Sequence, residues 1–158
     1  MDLKAHDLGA HGLAAGRVVF DTTACIYYLE RPAADPRCAV LLPVVAAAQT
    51  GAVDLVISTV TVTELLTGVL RAADREAEAA VRLFMGLLCT VLPVDLAVAE
   101  RAAALRAEHG LRTPDALICA TALCSAAVVV GNDLRWKRIG NGLRYVHIDD
   151  VVTAVGGS

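Results

Sequence analysis

Short apolar runs that stop abruptly alternate, along this chain, with longer stretches in which apolar residues return every three or four positions. The first run, Val18-Val19-Phe20, breaks off at Asp21 and reads as a buried strand. Thr22 and Thr23 then offer N-caps for a helix through Leu29, and Pro32 to Pro36 reads as a loop. A second helix is expected over 38–50, with Pro43 marking a kink or its true start. Val53 to Ile57 is strand-like, and Ser58-Thr59-Val60-Thr61-Val62-Thr63-Glu64 opens a helix that runs to Ala72. Further helices are predicted over 74–88 and from Asp95 to His109, the latter closed by Gly110, with a strand at Thr90 to Val94 between them. Thr113-Pro114-Asp115 opens a helix that is apolar on all sides, with Pro114 at its first position. Val128 to Val130 and Arg144 to Ile148 read as strands, separated by a short helix at 133–138.

Strands alternating with helices predict an α/β fold with one central parallel β-sheet and helices on both faces. The pattern fills residues 17–150 as a single domain. Residues 1–16, rich in Gly, Ala and His, read as an N-terminal extension, either an arm outside the fold or a misassigned start, and 151–158 as a C-terminal tail.

Composition and charge then narrow this picture. The 158 residues are 56% hydrophobic and 20% charged, which predicts a large core and excludes intrinsic disorder. The longest apolar stretch, Ala116 to Val130, contains Thr121 and Ser125 and falls short of the ~20 residues of a membrane span, so it reads as a buried helix entering a buried strand. No apolar block follows Asp2, Lys4, His6 and Asp7, so a secretory signal is not expected and the location expected is cytoplasmic. Five cysteines without CxxC spacing read as core thiols of a reducing compartment. A net charge of −3 excludes a general nucleic-acid coat.

Four acids stand in unexpected places. Asp21 directly follows a buried strand, and Asp133 follows another with only Gly131 and Asn132 between. Asp115 sits in the first turn of the all-apolar helix, and Glu64 in what reads as the first turn of its own, with the small residues Thr67 and Gly68 at i+3 and i+4. Each has an ordinary explanation: an N-cap for Asp21, a Thr61-x-x-Glu64 capping box, the helix dipole for Asp115, and a turn at Asn132-Asp133. In an open α/β sheet, however, all four would gather at the carboxyl edge of the strands, where ligands bind. Four converging carboxylates need a divalent cation, and all-oxygen ligands favour Mg²⁺, with Mn²⁺ as the alternative. The histidines (His6, His11, His109, His147) fall near none of these acids, which argues against zinc or non-haem iron.

Phe20-Asp21-Thr22-Thr23, Thr63-Glu64-Leu65-Leu66, Arg112-Thr113-Pro114-Asp115-Ala116 and Gly131-Asn132-Asp133 together resemble the motif blocks of PIN-domain ribonucleases, and most closely the VapC toxins of bacterial toxin–antitoxin pairs. The resemblance covers residues 17–150. It implies that Asp21, Glu64, Asp115 and Asp133 are the catalytic and metal-binding acids, with Thr23 lining the site. It implies Mg²⁺-dependent cleavage of a structured RNA such as tRNA or rRNA, and a small VapB-like antitoxin as partner. Arg112, Arg135, Lys137 and Arg138 are candidates for RNA phosphates, or else a solvated basic face. The chain departs from the pattern at Gly131, where these toxins usually carry Thr, and at Arg135-Trp136, where Asp-Phe is common.

Two other readings compete with the ribonuclease toxin. One is a catalytically weak PIN-fold binding module that acts in an antitoxin complex and in operon autoregulation. The other is a phosphatase, which would want Asp-x-Asp after the first strand, where this chain has Asp21-Thr22-Thr23. The surplus of apolar residues on the helices at 24–30, 38–50 and 60–72 predicts a groove for a partner helix and a homodimer.

Overall fold

The computed structural model describes residues 9–156. In chain order the elements are β1 (Gly16–Phe20), α1 (Thr22–Glu30), α2 (Pro36–Ala39), α3 (Leu42–Gln49), β2 (Val53–Ser58), α4 (Thr59–Ala72) and α5 (Arg75–Leu88). They continue with β3 (Thr90–Leu92), α6 (Leu96–His109), α7 (Thr113–Cys124), β4 (Val128–Gly131), a 3₁₀ turn (Leu134–Arg138), β5 (Arg144–His147) and α8 (Ile148–Gly156). The five strands form one parallel sheet in the order β3-β2-β1-β4-β5. Val18 is registered with Leu55 on one side and Val128 on the other. The α/β architecture expected from the alternation is the one observed.

Alternate residues of each strand serve opposite faces, which gives the sheet two cores. Val18, Phe20, Leu55, Ile57, Val128 and Val130 pack with Cys25, Leu41, Val44, Leu65 and Phe84. Val19, Val56 and Val129 pack with Val98, Leu105, Ile118 and Trp136. Strands covered on both faces are apolar throughout, as the run Val128-Val129-Val130 is.

Several boundaries differ from expectation for local reasons. The expected helix over 38–50 is two helices: Asp35 caps α2 at Pro36, and α3 begins at Leu42 so that Pro43 falls in its first turn, where a missing N–H costs nothing. α7 starts at Thr113, which moves Pro114 to the second position. Residues 148–156 form a helix and Val151 is buried, so the segment from 151 packs on the sheet instead of trailing from it. Leu13 is likewise buried in the first core, so the arm expected over 1–16 is seated on the fold at that point, and its residues 1–8 lie outside the described residues. No described helix is long and apolar enough to cross a membrane.

Candidate functional site

With β1 central and its neighbours reached in opposite directions along the chain, the carboxyl ends of β1 and β4 flank a switch point, where an open α/β sheet leaves a crevice. Asp21 stands at the end of β1. Its N–H donates to the Val130 carbonyl at 3.0 Å, which ties the residue to β4. Its carboxylate accepts from the Ala24 N–H at 2.6 Å as the N-cap of α1, and from the Asn132 N–H at 3.3 Å. The expected cap at Thr22 or Thr23 is therefore Asp21 itself. Asp21 is only 5% exposed. Burial pushes its carboxyl up to about 7, against the two backbone N–H bonds, and the charges of Asp115 and Glu64 add to the rise.

Those same influences locate the other acids. Asp115 lies in the first turn of α7, where its Oδ2 is 3.3 Å from Arg112 Nε. One turn on, the buried Cys119 thiol is pushed far up, first by burial and then by the charges of Asp115, Asp21 and Asp133. Asp133 caps the 3₁₀ turn by accepting from the Arg135 N–H at 2.9 Å. Its own N–H donates to the Tyr145 hydroxyl at 3.0 Å. The Arg135 guanidinium, hydrogen-bonded to Asp133, holds that carboxyl below its ordinary value.

Glu64 enters from the facing side on α4. Ser58, whose hydroxyl accepts from the Val60 N–H at 3.3 Å, is the cap of this helix. Glu64 is therefore beyond the first turn, and the Thr61-x-x-Glu64 capping box is not formed. The hydroxyl of Thr22 donates to Glu64 Oε2. The hydroxyl that reaches an acid thus belongs to Thr22, one position before the expected Thr23.

The Gly131 departure has a steric meaning here. A Cβ at this position would lie 2.4 Å from Asp21 Oδ2 and 2.8 Å from its Cγ. Glycine lets the Asp21 carboxylate lie against the end of β4, where the Asn132 N–H meets it. Asn132 was not singled out by the sequence, and neither was Tyr145. The side-chain amide of Asn132 also donates to the Tyr27 hydroxyl at 3.1 Å, linking the site to α1.

The expected phosphate-binding cations divide. Arg112 and Arg135 stand at the acids, whereas Lys137 pairs with Asp150 at 2.8 Å and Arg138 is exposed. Among the described residues no three acidic, His or Cys side chains meet on one point in their present positions. The donors nonetheless suit a hard divalent cation: they are all carboxylates, and the deepest, Asp21, faces acids and makes no ion pair among the described residues.

A groove of roughly 250 Å³ runs between α1, α4 and α5, lined by Ile26, Leu29, Leu65, Val69 and Val81 and edged by Glu30, Glu64 and Asp74. The exposed Gly68 is among its lining residues, with nothing within 4 Å of where a Cβ would stand. The apolar residues Val44 and Val45 of α3, expected to contribute to such a surface, are buried in the core.

The PIN domain family matches residues 18–142. No protein with a curated description matches the chain. Among solved structures, VapBC2 of Rickettsia felis bound to a DNA fragment from its promoter is similar with a TM-score of 0.68 at 20% identity, over 83% of this chain and 98% of that one. FitAcB of Neisseria gonorrhoeae gives a TM-score of 0.65 at 22% identity, over 83% and 97%. VapBC-5 of Mycobacterium tuberculosis, described as a member of the VapBC family of toxin–antitoxin systems, gives 0.55 at 27% identity, over 83% and 96%.

Proposed function

The chain belongs to the PIN domain family, and from the acids gathered at its sheet edge we propose that it is a metal-dependent endoribonuclease, the toxin of a type II toxin–antitoxin pair. The observation that carries this reading is Asp21: a carboxylate buried at the switch point, held by two backbone N–H groups and facing other carboxylates. A structural cap needs neither those neighbours nor that burial. Asp21 and Asp115 would hold a Mg²⁺ or Mn²⁺ ion, with Asp133 and Glu64 completing the shell directly or through water. The bound ion would supply activation of water and charge neutralisation at phosphorus.

The chain's own groups then have defined tasks. The Ala24 and Asn132 N–H groups fix the two Asp21 oxygens, and the Thr22 hydroxyl fixes Glu64 Oε2. Tyr145 fixes the backbone of Asp133. Arg112, whose side chain is 76% exposed at the rim, is placed to take an RNA phosphate. Water attacks the phosphorus of a structured RNA such as tRNA or rRNA, the bond to the 3′ oxygen breaks, and the products carry a 5′-phosphate and a 3′-hydroxyl. The partner is a small VapB-like antitoxin. An apolar groove edged with Glu30, Glu64 and Asp74 suits an amphipathic helix bearing basic residues. The proteins it resembles in fold are described as VapBC or FitAB assemblies, which supports the same pairing.

Incubation of the purified chain with tRNA and rRNA, with Mg²⁺ or with chelator, tests the reading. Cleavage that needs the ion, leaves a 5′-phosphate and disappears in Asp21→Asn and Asp115→Asn is expected. A folded parent chain that binds its antitoxin but cleaves no RNA would favour the weak-enzyme binding module instead.

A further inference from the structure

Two of the four acids share one guanidinium. Arg135 Nε lies 3.0 Å from each carboxylate oxygen of Asp133, and its Nη2 reaches both Asp133 Oδ2, at 2.5 Å, and Asp115 Oδ2, at 3.4 Å. The side chain therefore folds back over its own turn and bridges β4's acid to α7's acid, although it is 55% exposed and could extend into solvent. The turn that carries it is fixed: the next residue, Trp136, is 2% exposed and packs on Tyr145, whose hydroxyl holds the Asp133 N–H. Only the side chain beyond the backbone is free to move.

We propose that Arg135 is a resident counter-ion for Asp115 and Asp133, and that a divalent metal enters by displacing it. The inference rests on the metal-dependent reading of the site. Without a metal, a cluster of like charges at a sheet edge is self-repelling, and one guanidinium bridging two carboxylates relieves part of that repulsion. The same bond occupies lone pairs that a metal would need, since both Asp133 oxygens and Asp115 Oδ2 point at Arg135. Half-exposed ion pairs of this kind are weak, so a dication can outcompete this one. Arg135 accordingly lowers metal affinity and, once released, becomes a mobile cation at the mouth of the site.

Calorimetric titration of the full chain with MgCl₂ and with MnCl₂, in the absence of RNA, tests this in the parent, Arg135→Gln and Arg135→Lys. Arg135→Gln is expected to bind either ion about three- to tenfold more tightly than the parent, the scale of releasing weak surface pairs. Arg135→Lys keeps the charge but loses the fork that bridges the two acids, and is expected to fall between the parent and Arg135→Gln. Metal-free melting checks that each variant folds, and Arg135→Gln should melt lower than the parent without metal and level with it at saturating Mg²⁺. Parent-like or weaker binding by Arg135→Gln would overturn the counter-ion role while leaving the metal-dependent reading intact. No binding by any of the three would overturn both.

Discussion

Between pH 4 and pH 7 the folded chain holds a proton that the unfolded chain has lost, because burial pushes the Asp21 carboxyl from an ordinary value near 3.8 up to about 7. A group with more bound protons in the folded state makes stability fall as pH rises through that window, and level off above it. Asn in place of Asp keeps the cap and the volume but cannot ionise. Without metal, Asp21→Asn should therefore exceed the parent in stability at pH 8, by about 2–4 kcal/mol, and converge with it near pH 4. Urea melts in chelator at the two pH values measure this, and parallel curves for the two proteins would contradict it. Gly131 is the second residue at which the site meets the fold. Gly131→Thr places a Cβ 2.4 Å from Asp21 Oδ2, so the carboxylate must rotate off the Asn132 and Ala24 N–H groups. A loss of roughly 1–3 kcal/mol is expected, as for other overpacked sites, with RNA cleavage falling far more than stability. In Asp21→Ala the same substitution should cost much less, and a double-mutant cycle on melting temperature reads the difference.

Helix ends decide where the acids stand, and they are also where the sequence was hardest to read. Asp21, Asp115 and Asp133 were legible because each sits within a few residues of an apolar run whose length fixes the strand or helix. Glu64 reads as a first-turn residue because three hydroxyl residues, Ser58, Thr59 and Thr61, all resemble caps, and only the end of β2 selects Ser58. The last helix does carry a signal, since Ile148, Val151, Val152 and Val155 follow the i, i+3, i+4, i+7 spacing and Asp149 and Asp150 suit its first turn, but the strand that precedes it masks its start. Arg135's fold back onto two acids had no signal, since periodicity carries no information on the direction of a side chain in a 3₁₀ turn. One helix end gives a clean test of this scale. Gly110 closes α6 at φ +65° with nothing within 4 Å of a Cβ, so Gly110→Ala should cost only the left-handed backbone strain, about 1–2 kcal/mol. RNA cleavage per folded molecule should be unchanged, because Gly110 touches no acid; a loss of activity at full folding would show that α6 positions Arg112 and Asp115 more tightly than the contacts indicate.

At the scale of the whole molecule, several large apolar side chains stay exposed among the described residues. Leu83 and Leu87 of α5 are 60% and 77% exposed, and Val91 on the edge strand β3 is 40% exposed. We propose that these residues close a two-fold homodimer, and Leu83→Lys with Leu87→Lys should then shift light scattering towards the 16.5 kDa monomer while the chain stays folded. The groove between α1, α4 and α5 is a separate surface, and it begins at Glu64, so an occupant there sits beside the acids. Gly68 lines the groove from within α4, exposed, where a larger residue meets open space. Gly68→Leu should therefore fold at least as well as the parent, with a gain of up to about 1 kcal/mol from replacing a mid-helix glycine. The same side chain fills the space that a partner helix needs. Antitoxin binding is expected to weaken by a factor of ten or more, roughly 1.4 kcal/mol or beyond. Cleavage of RNA by the free variant should stay within a few-fold of the parent, since no acid or cation of the site moves. Titration of the variant with its antitoxin, followed by residual cleavage, separates the two surfaces. If Gly68→Leu is still fully inhibited at parental concentrations, the partner docks elsewhere and the groove has another use.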